Sequence, residues 1–132
     1  MNNEICEFAI SQWSEAFKYV PDNMKTDKLI KFALSERGCN LEYVPKNKIT
    51  KELCDFTSNC QHFSLWCVPV EMRSKEICTH AVMKRGSDIQ YVPVKFLTKE
   101  LCKKAVLLDR NAIYHVPESF KTNDILKLVY DG

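Results

Sequence analysis

Apolar positions recur along this chain at a long, fixed interval. Val-Pro follows Tyr19, Tyr43, Cys67, Tyr91 and His115, with the same spacing each time and no insertion. Five positions after each proline stands Thr26, Thr50, Ser74, Thr98 or Thr122. Three further on lies Leu29, Leu53, Ile77, Leu101 or Ile125, with Ile5 in a leading fragment. The next column is Cys6, Ile30, Cys54, Cys78, Cys102 and Leu126. Three beyond it comes Ala9, Ala33, Thr57, Ala81, Ala105 or Val129. After that the pattern relaxes, marked only by Gly38 and Gly86. A period of this length signals a tandem-repeat architecture.

Each repeat reads physically. The Thr or Ser is placed as a helix N-cap, its hydroxyl accepting from the free amides of the first turn. Glu52, Glu76, Glu100 and Asp124 follow two positions later, where a carboxylate meets the positive end of the helix dipole. Leu101, Cys102, Ala105 and Val106 fill an arc of roughly 140° on a helix, a broad buried stripe. The spacing predicts a helix of about eleven residues, ended by a left-handed glycine at Gly38 and Gly86. One short helical turn fits before each Val-Pro, and it must stop there because the residue before proline avoids the helical region. Between Pro and Thr, Met24, Met72, Phe96 and Phe120 are expected to tuck inward.

One unit cannot cover its own apolar face, whereas stacked units can. The fold predicted is therefore all-α: a short α-solenoid of about five and a half 24-residue helical repeats in a single domain. The units run 1–21, 22–45, 46–69, 70–93, 94–117 and 118–132. A plain helical bundle, or a solenoid with extended Tyr-Val-Pro segments, is the alternative. The first unit lacks its Val-Pro lead-in and the last stops after one helix; these ends read either as caps or as surfaces for self-association through repeat ends.

Composition narrows the classes. The chain has 132 residues, 45% hydrophobic and 27% charged, which is ordinary globular material. A net charge of +2 gives no strong field for nucleic acid or membrane. The N-terminal stretch shows no secretory pattern, and no apolar run is long enough to span a bilayer. Seven cysteines without such a signal read as reduced thiols in a cytoplasmic setting.

The stretches "YVPKNKITKELC" (Tyr43–Cys54) and "YVPVKFLTKELCKKAV" (Tyr91–Val106) resemble a tandem-repeat family, domain of unknown function 4116. Its units read Tyr-Val-Pro, four residues, then Thr-x-Glu-Leu-Cys-x-x-Ala-Val. The resemblance runs from about Ile5 to Val129. It implies a helical repeat and an interaction role, as a bacterial effector or a viral host-interaction factor, and brings no catalytic residue or cofactor. Cys67 and His115 depart from Tyr, His62 and Arg110 from Gly, and Thr57-Ser58 from Ala-Val.

Cys6, Cys54, Cys78 and Cys102 share a column, but neighbouring helices lie about 8–10 Å apart, too far for disulfides or a common zinc. Ile30 and Leu126 occupy the same column, so it reads as small buried hydrophobe. Cys60, His62 and Cys67 lie off it. A zinc site with Cys39, or a cysteine nucleophile with His62 as base, is their chemical alternative, though no orienting acid or oxyanion pattern accompanies them. Lys51, Lys75 and Lys99 sit near helix N-termini, where they suit phosphates, yet Glu52, Glu76 and Glu100 stand beside them. An RNA-reading repeat is thus the second functional reading. Tyr19, Tyr43 and Tyr91 are its nearest base-stacking column, although a Tyr held before Val-Pro in unit after unit reads as core or joint.

The column before the Tyr reads Lys18, Glu42, Trp66, Gln90 and Tyr114. It changes freely while its neighbours hold, so it is expected to face water. Trp and Tyr are the usual anchors of interfaces. Trp66, Tyr114, Gln90 and Glu42, with Phe63 and Trp13 nearby, are the predicted partner-binding residues. The expected function is a non-catalytic protein–protein interaction module for an unidentified protein, without metal or cofactor. The opposing possibility is that Trp66 turns inward to fill space left by Thr57 and Ser58.

Overall fold

The computed structural model describes residues 2–130; Met1, Asp131 and Gly132, the tips of the expected first and last units, lie outside the described residues. Among the described residues every regular element is helical. The chain divides after Val68 into two compact units. Unit one holds α1 (Asn3–Gln12), α2 (Asp27–Glu36) and α3 (Lys51–Ser58). Unit two holds α4 (Lys75–Lys84), α5 (Lys99–Leu108) and α6 (Asn123–Tyr130). A 3-10 segment follows each of the first five helices: Ser14–Tyr19, Gly38–Tyr43, Leu65–Cys67, Gly86–Tyr91 and Arg110–His115. A single 3-10 turn after each proline then leads toward the next helix.

Helix starts fall at the expected caps. The hydroxyls of Thr26, Thr50, Ser74 and Thr98 accept from the amides of Leu29, Leu53, Ile77 and Leu101 at 3.1–3.2 Å. Asn2 does the same for Ile5 at 2.9 Å, one repeat length before Thr26. Thr122 differs: its hydroxyl has no hydrogen-bond partner among the described residues. The α-helices span eight to ten residues, somewhat short of the expected eleven. Leu101, Cys102, Ala105 and Val106 are all buried, as the stripe requires. Val20, Val44, Val68, Val92 and Val116 are buried with extended backbones, so each 3-10 segment ends at the residue before Val-Pro. Met24, Met72, Phe96 and Phe120 tuck in only partly and remain half-buried.

The glycines act differently from the expectation. Neither Gly38 nor Gly86 has a positive φ. The helices before them end instead at extended Arg37 (φ −157°, ψ 109°) and Arg85 (φ −145°, ψ 104°), whose amides still donate to Ala33 O and Ala81 O. Each glycine then lets its backbone press on the following repeat. A Cβ at Gly86 would lie 2.3 Å from Ala105 O, and one at Gly38 would lie 2.9 Å from Phe63 Cβ and 3.2 Å from Thr57 O. The Thr57 hydroxyl donates to Gly38 O at 2.7 Å in the same joint.

The irregular repeat has a local cause. His62 stands where the preceding and following repeats have glycine, and it alone among the described non-glycine residues has a positive φ, 55°. α3 stops early, and the stretch after it turns back to offer Gln61 O and His62 O to the amides of Gly38 (2.7 Å) and Cys39 (3.2 Å). These are free donors at the start of a 3-10 segment, so the turn satisfies groups that burial would otherwise leave unpaired.

Gly86→Ala is expected to cost about 2–3 kcal/mol, because the new methyl group meets backbone and not a flexible side chain. Thr98→Ala should cost about 1 kcal/mol through its lost cap. His62→Gly should instead gain roughly 0.5–1 kcal/mol by relieving the left-handed conformation. Urea denaturation of the three variants checks the order; a harmless Gly86→Ala would refute the close-approach account.

Candidate partner-binding face

The expected outward column occupies the next-to-last position of each 3-10 segment that follows a helix. In unit one Leu41 and Val44 both point inward, three positions apart and so on the same side of a 3-10 turn. Glu42 between them is forced outward, and it is exposed. Leu65 and Val68 likewise leave Trp66 exposed at 41%. In unit two Ile89 and Val92 set Gln90 outward, and Ile113 and Val116 do the same for Tyr114, which is 78% exposed. Lys18 is half-buried at the corresponding place. The inward alternative for Trp66 is not what the structure shows.

Phe63 does not belong to this face. It is buried, 8% exposed, with its backbone and Cβ against Gly38. The shortened α3 moves it from a loop surface into the joint. Trp13 is exposed, and its ring lies 5.7 Å from that of Tyr19, with Lys18 Nζ 5.8 and 5.0 Å from the two. Tyr19 is exposed in place of the joint position expected of it. Tyr43 and Tyr91 are half-buried.

Two cations that sequence reasoning missed hold the 3-10 segments in place. Lys25 is buried, donates to Tyr43 O at 2.6 Å and pairs with Asp22 at 3.1 Å. Its ammonium also lies 4.9 Å from the Phe17 ring centre, and Lys48 Nζ donates to Lys25 O at 2.9 Å. In unit two Arg73 donates to Tyr91 O at 2.9 Å, across the same sequence separation. A cation on the last carbonyls of a helical segment is stabilising. The signal was present: Lys25, Arg73 and Lys121 alternate with Ile49 and Leu97, a period of two repeats. Asn40 was also missed; fully buried, it donates to Ser14 O (2.9 Å) and Ala33 O (3.1 Å) and ties its segment to the preceding repeat.

The double period reappears in surface shape. A groove of about 430 Å³ in unit one is lined by Lys48, Thr50, Glu52, Leu53 and Phe56. One of the same volume in unit two is lined by Phe96, Thr98, Glu100, Leu101 and Lys104, each two repeats further along the chain. The Lys99 ammonium on its rim lies 3.4 Å from Asp124.

Cys6, Cys54, Cys78 and Cys102 are buried. Burial pushes the Cys54 and Cys78 thiols up to about 11 and raises Cys102 as well. Cys60 turns its thiol to Phe56 O at 3.3 Å, and His62 is exposed. Cys67 Sγ lies 3.0 Å from Ser64 O. Among the described residues no three His, Cys, Asp or Glu side chains gather to hold a metal ion. Nor is any described helix long and apolar enough to cross a membrane.

Against known proteins, one finding stands out. Residues 74–121 match the family described as Domain of unknown function (DUF4116). The match opens at the N-cap Ser74 and closes just before Thr122, so it spans two full repeats. The DUF4116 stretch therefore has the same two-repeat length as the alternation of cations, glycines and grooves. No curated protein matches the chain, and no solved structure does.

Stability should fall as the medium turns alkaline. Once pH passes the ordinary thiol range, the unfolded chain releases the Cys54 and Cys78 protons while the folded chain, with thiols near 11, retains them. Fewer protons bound to the unfolded state means that stability declines with pH until the folded thiols ionise too. A Cys54→Ala, Cys78→Ala variant should show a shallower decline. Equal slopes in chemical denaturation would refute this.

Proposed function

We propose that this chain is a non-catalytic protein–protein interaction module, a short α-solenoid of about five and a half repeats. The observation that supports it is the exposure of Trp66 in unit one and Tyr114 in unit two, at a position whose residue changes while its flanks stay apolar. Large aromatics presented on a fixed backbone supply apolar contact with little conformational entropy to lose. Glu42 and Gln90 give polar contacts at the equivalent places. The setting proposed is the cytoplasm of a cell in which a bacterial effector or viral factor meets its partner. Self-association through repeat ends is part of the same proposal.

RNA binding is the second reading, favoured by Lys75, Lys99 and Lys104 around the unit-two groove. Glu100 and the Asp124 contact of Lys99 oppose it. An RNA complex would weaken steeply with added salt.

The deciding experiment is affinity capture with the wild type beside a Trp66→Ala, Tyr114→Ala variant, both shown to be folded by circular dichroism. A protein held by the wild type and lost by the variant is the expected result. Equal recovery by both forms would remove these side chains from the interface. Recovery of RNA alone, released by moderate salt, would replace the protein reading with the nucleic-acid one.

A further inference from the structure

Besides Cys60, unit one holds two cysteines that serve neither the buried thiol column nor the exposed face. Cys39 lies in the 3-10 segment Gly38–Tyr43 and Cys67 ends the segment Leu65–Cys67. The two segments pack together in unit one. Cys67 Sγ lies 3.0 Å from Ser64 O, and Cys39 Sγ lies 4.0 Å from the same oxygen. Both sulfurs therefore gather around a single carbonyl oxygen. Cys67 Sγ is also 3.9 Å from the carbonyl of Gly38, the neighbour of Cys39. Cys67 stands where three other repeats have tyrosine, so the pair is peculiar to this joint.

We propose that Cys39 and Cys67 are an oxidative modification site, joined as a disulfide by a hydroperoxide-class oxidant. The reading is independent of the partner-binding proposal. One of the two thiols gives up its proton and its sulfur attacks a peroxide oxygen; the O–O bond breaks, a sulfenic acid forms, and the departing hydroxide takes up that proton as the first water. The other sulfur then attacks the sulfenic sulfur, an S–S bond forms, and the S–O bond breaks. The second thiol's proton leaves with the sulfenic hydroxyl as a second water. Two thiols lose two electrons and two protons, and one peroxide is reduced to two waters.

The two thiols act on each other: the neighbouring Cys67 lowers Cys39, while Cys39 and burial raise Cys67. Either sulfur can make the first attack, and the other resolves it. With 3% and 6% exposure the two are closed to bulky reagents, while peroxide is little larger than water. The cross-link would tie two successive 3-10 segments across one repeat joint and constrain the unfolded chain between them.

The test treats the full 132-residue chain with a modest excess of hydrogen peroxide. The expected product is lighter by about 2 Da, has lost two titratable thiols, and yields a linked Cys39–Cys67 peptide that dithiothreitol separates. It should also melt at a higher temperature than the reduced chain. Cys39→Ser should abolish the linkage, whereas Cys102→Ser, removing an equally buried thiol, should leave it intact. The peptide map of the wild type decides the matter even if Cys39→Ser folds poorly. Oxygen addition at Cys60 with Cys39 and Cys67 still reduced would overturn the proposal, as would a linkage of either cysteine to Cys60.

Discussion

How closely the backbone of one repeat can approach the helix of the next governs most of the arrangement inside each unit. At Gly86 that distance leaves no room for a side chain, because Ala105 O already occupies the place of a Cβ. At Gly38 the same tightness involves Thr57 and Phe63, and the Thr57 hydroxyl donates to Gly38 O. Small residues accordingly stand opposite the glycines, Thr57 at Gly38 and Ala105 at Gly86. A dense interior tolerates little volume change at such a point.

The 3-10 segments place the exposed side chains. One whose apolar residues three apart turn inward has one side left for solvent. Glu42 and Trp66 in unit one, and Gln90 and Tyr114 in unit two, take that side. Lys25 and Arg73 then fix the far ends of the segments through Tyr43 O and Tyr91 O. These cations are nearly or partly buried, with carbonyl acceptors in place of water, which makes them geometric fixtures more than surface charges. The two-repeat alternation in these features has the length of the DUF4116 match.

The irregular repeat shows how one substitution spreads. His62, in a position where glycine stands one repeat before and one after, keeps a left-handed backbone. The helix before it ends early, Phe63 moves inside, and Gln61 O and His62 O meet the amides of Gly38 and Cys39. Cys67 then occupies the tyrosine place with Cys39 as its neighbour. A departure from the repeat pattern was visible at each of these residues, but their mutual contacts join positions about one repeat apart in the chain.

The sequence by itself determined the repeat length, the helix starts and the buried columns. Those depend on local chemistry: a hydroxyl three positions before an amide, a proline that forbids a helical predecessor, an apolar stripe at helical spacing. It also pointed to an outward column, since a position that varies between apolar neighbours has no fixed partner. Tertiary structure decided that Gly38 and Gly86 serve close approach and not left-handed turns. It decided too that Phe63 lies inside, that Lys25 and Arg73 bind carbonyls most of a repeat away, and that Cys39 and Cys67 reach the same Ser64 carbonyl. Each of these turns on which atoms of a distant segment occupy the neighbouring space, a quantity no local pattern encodes.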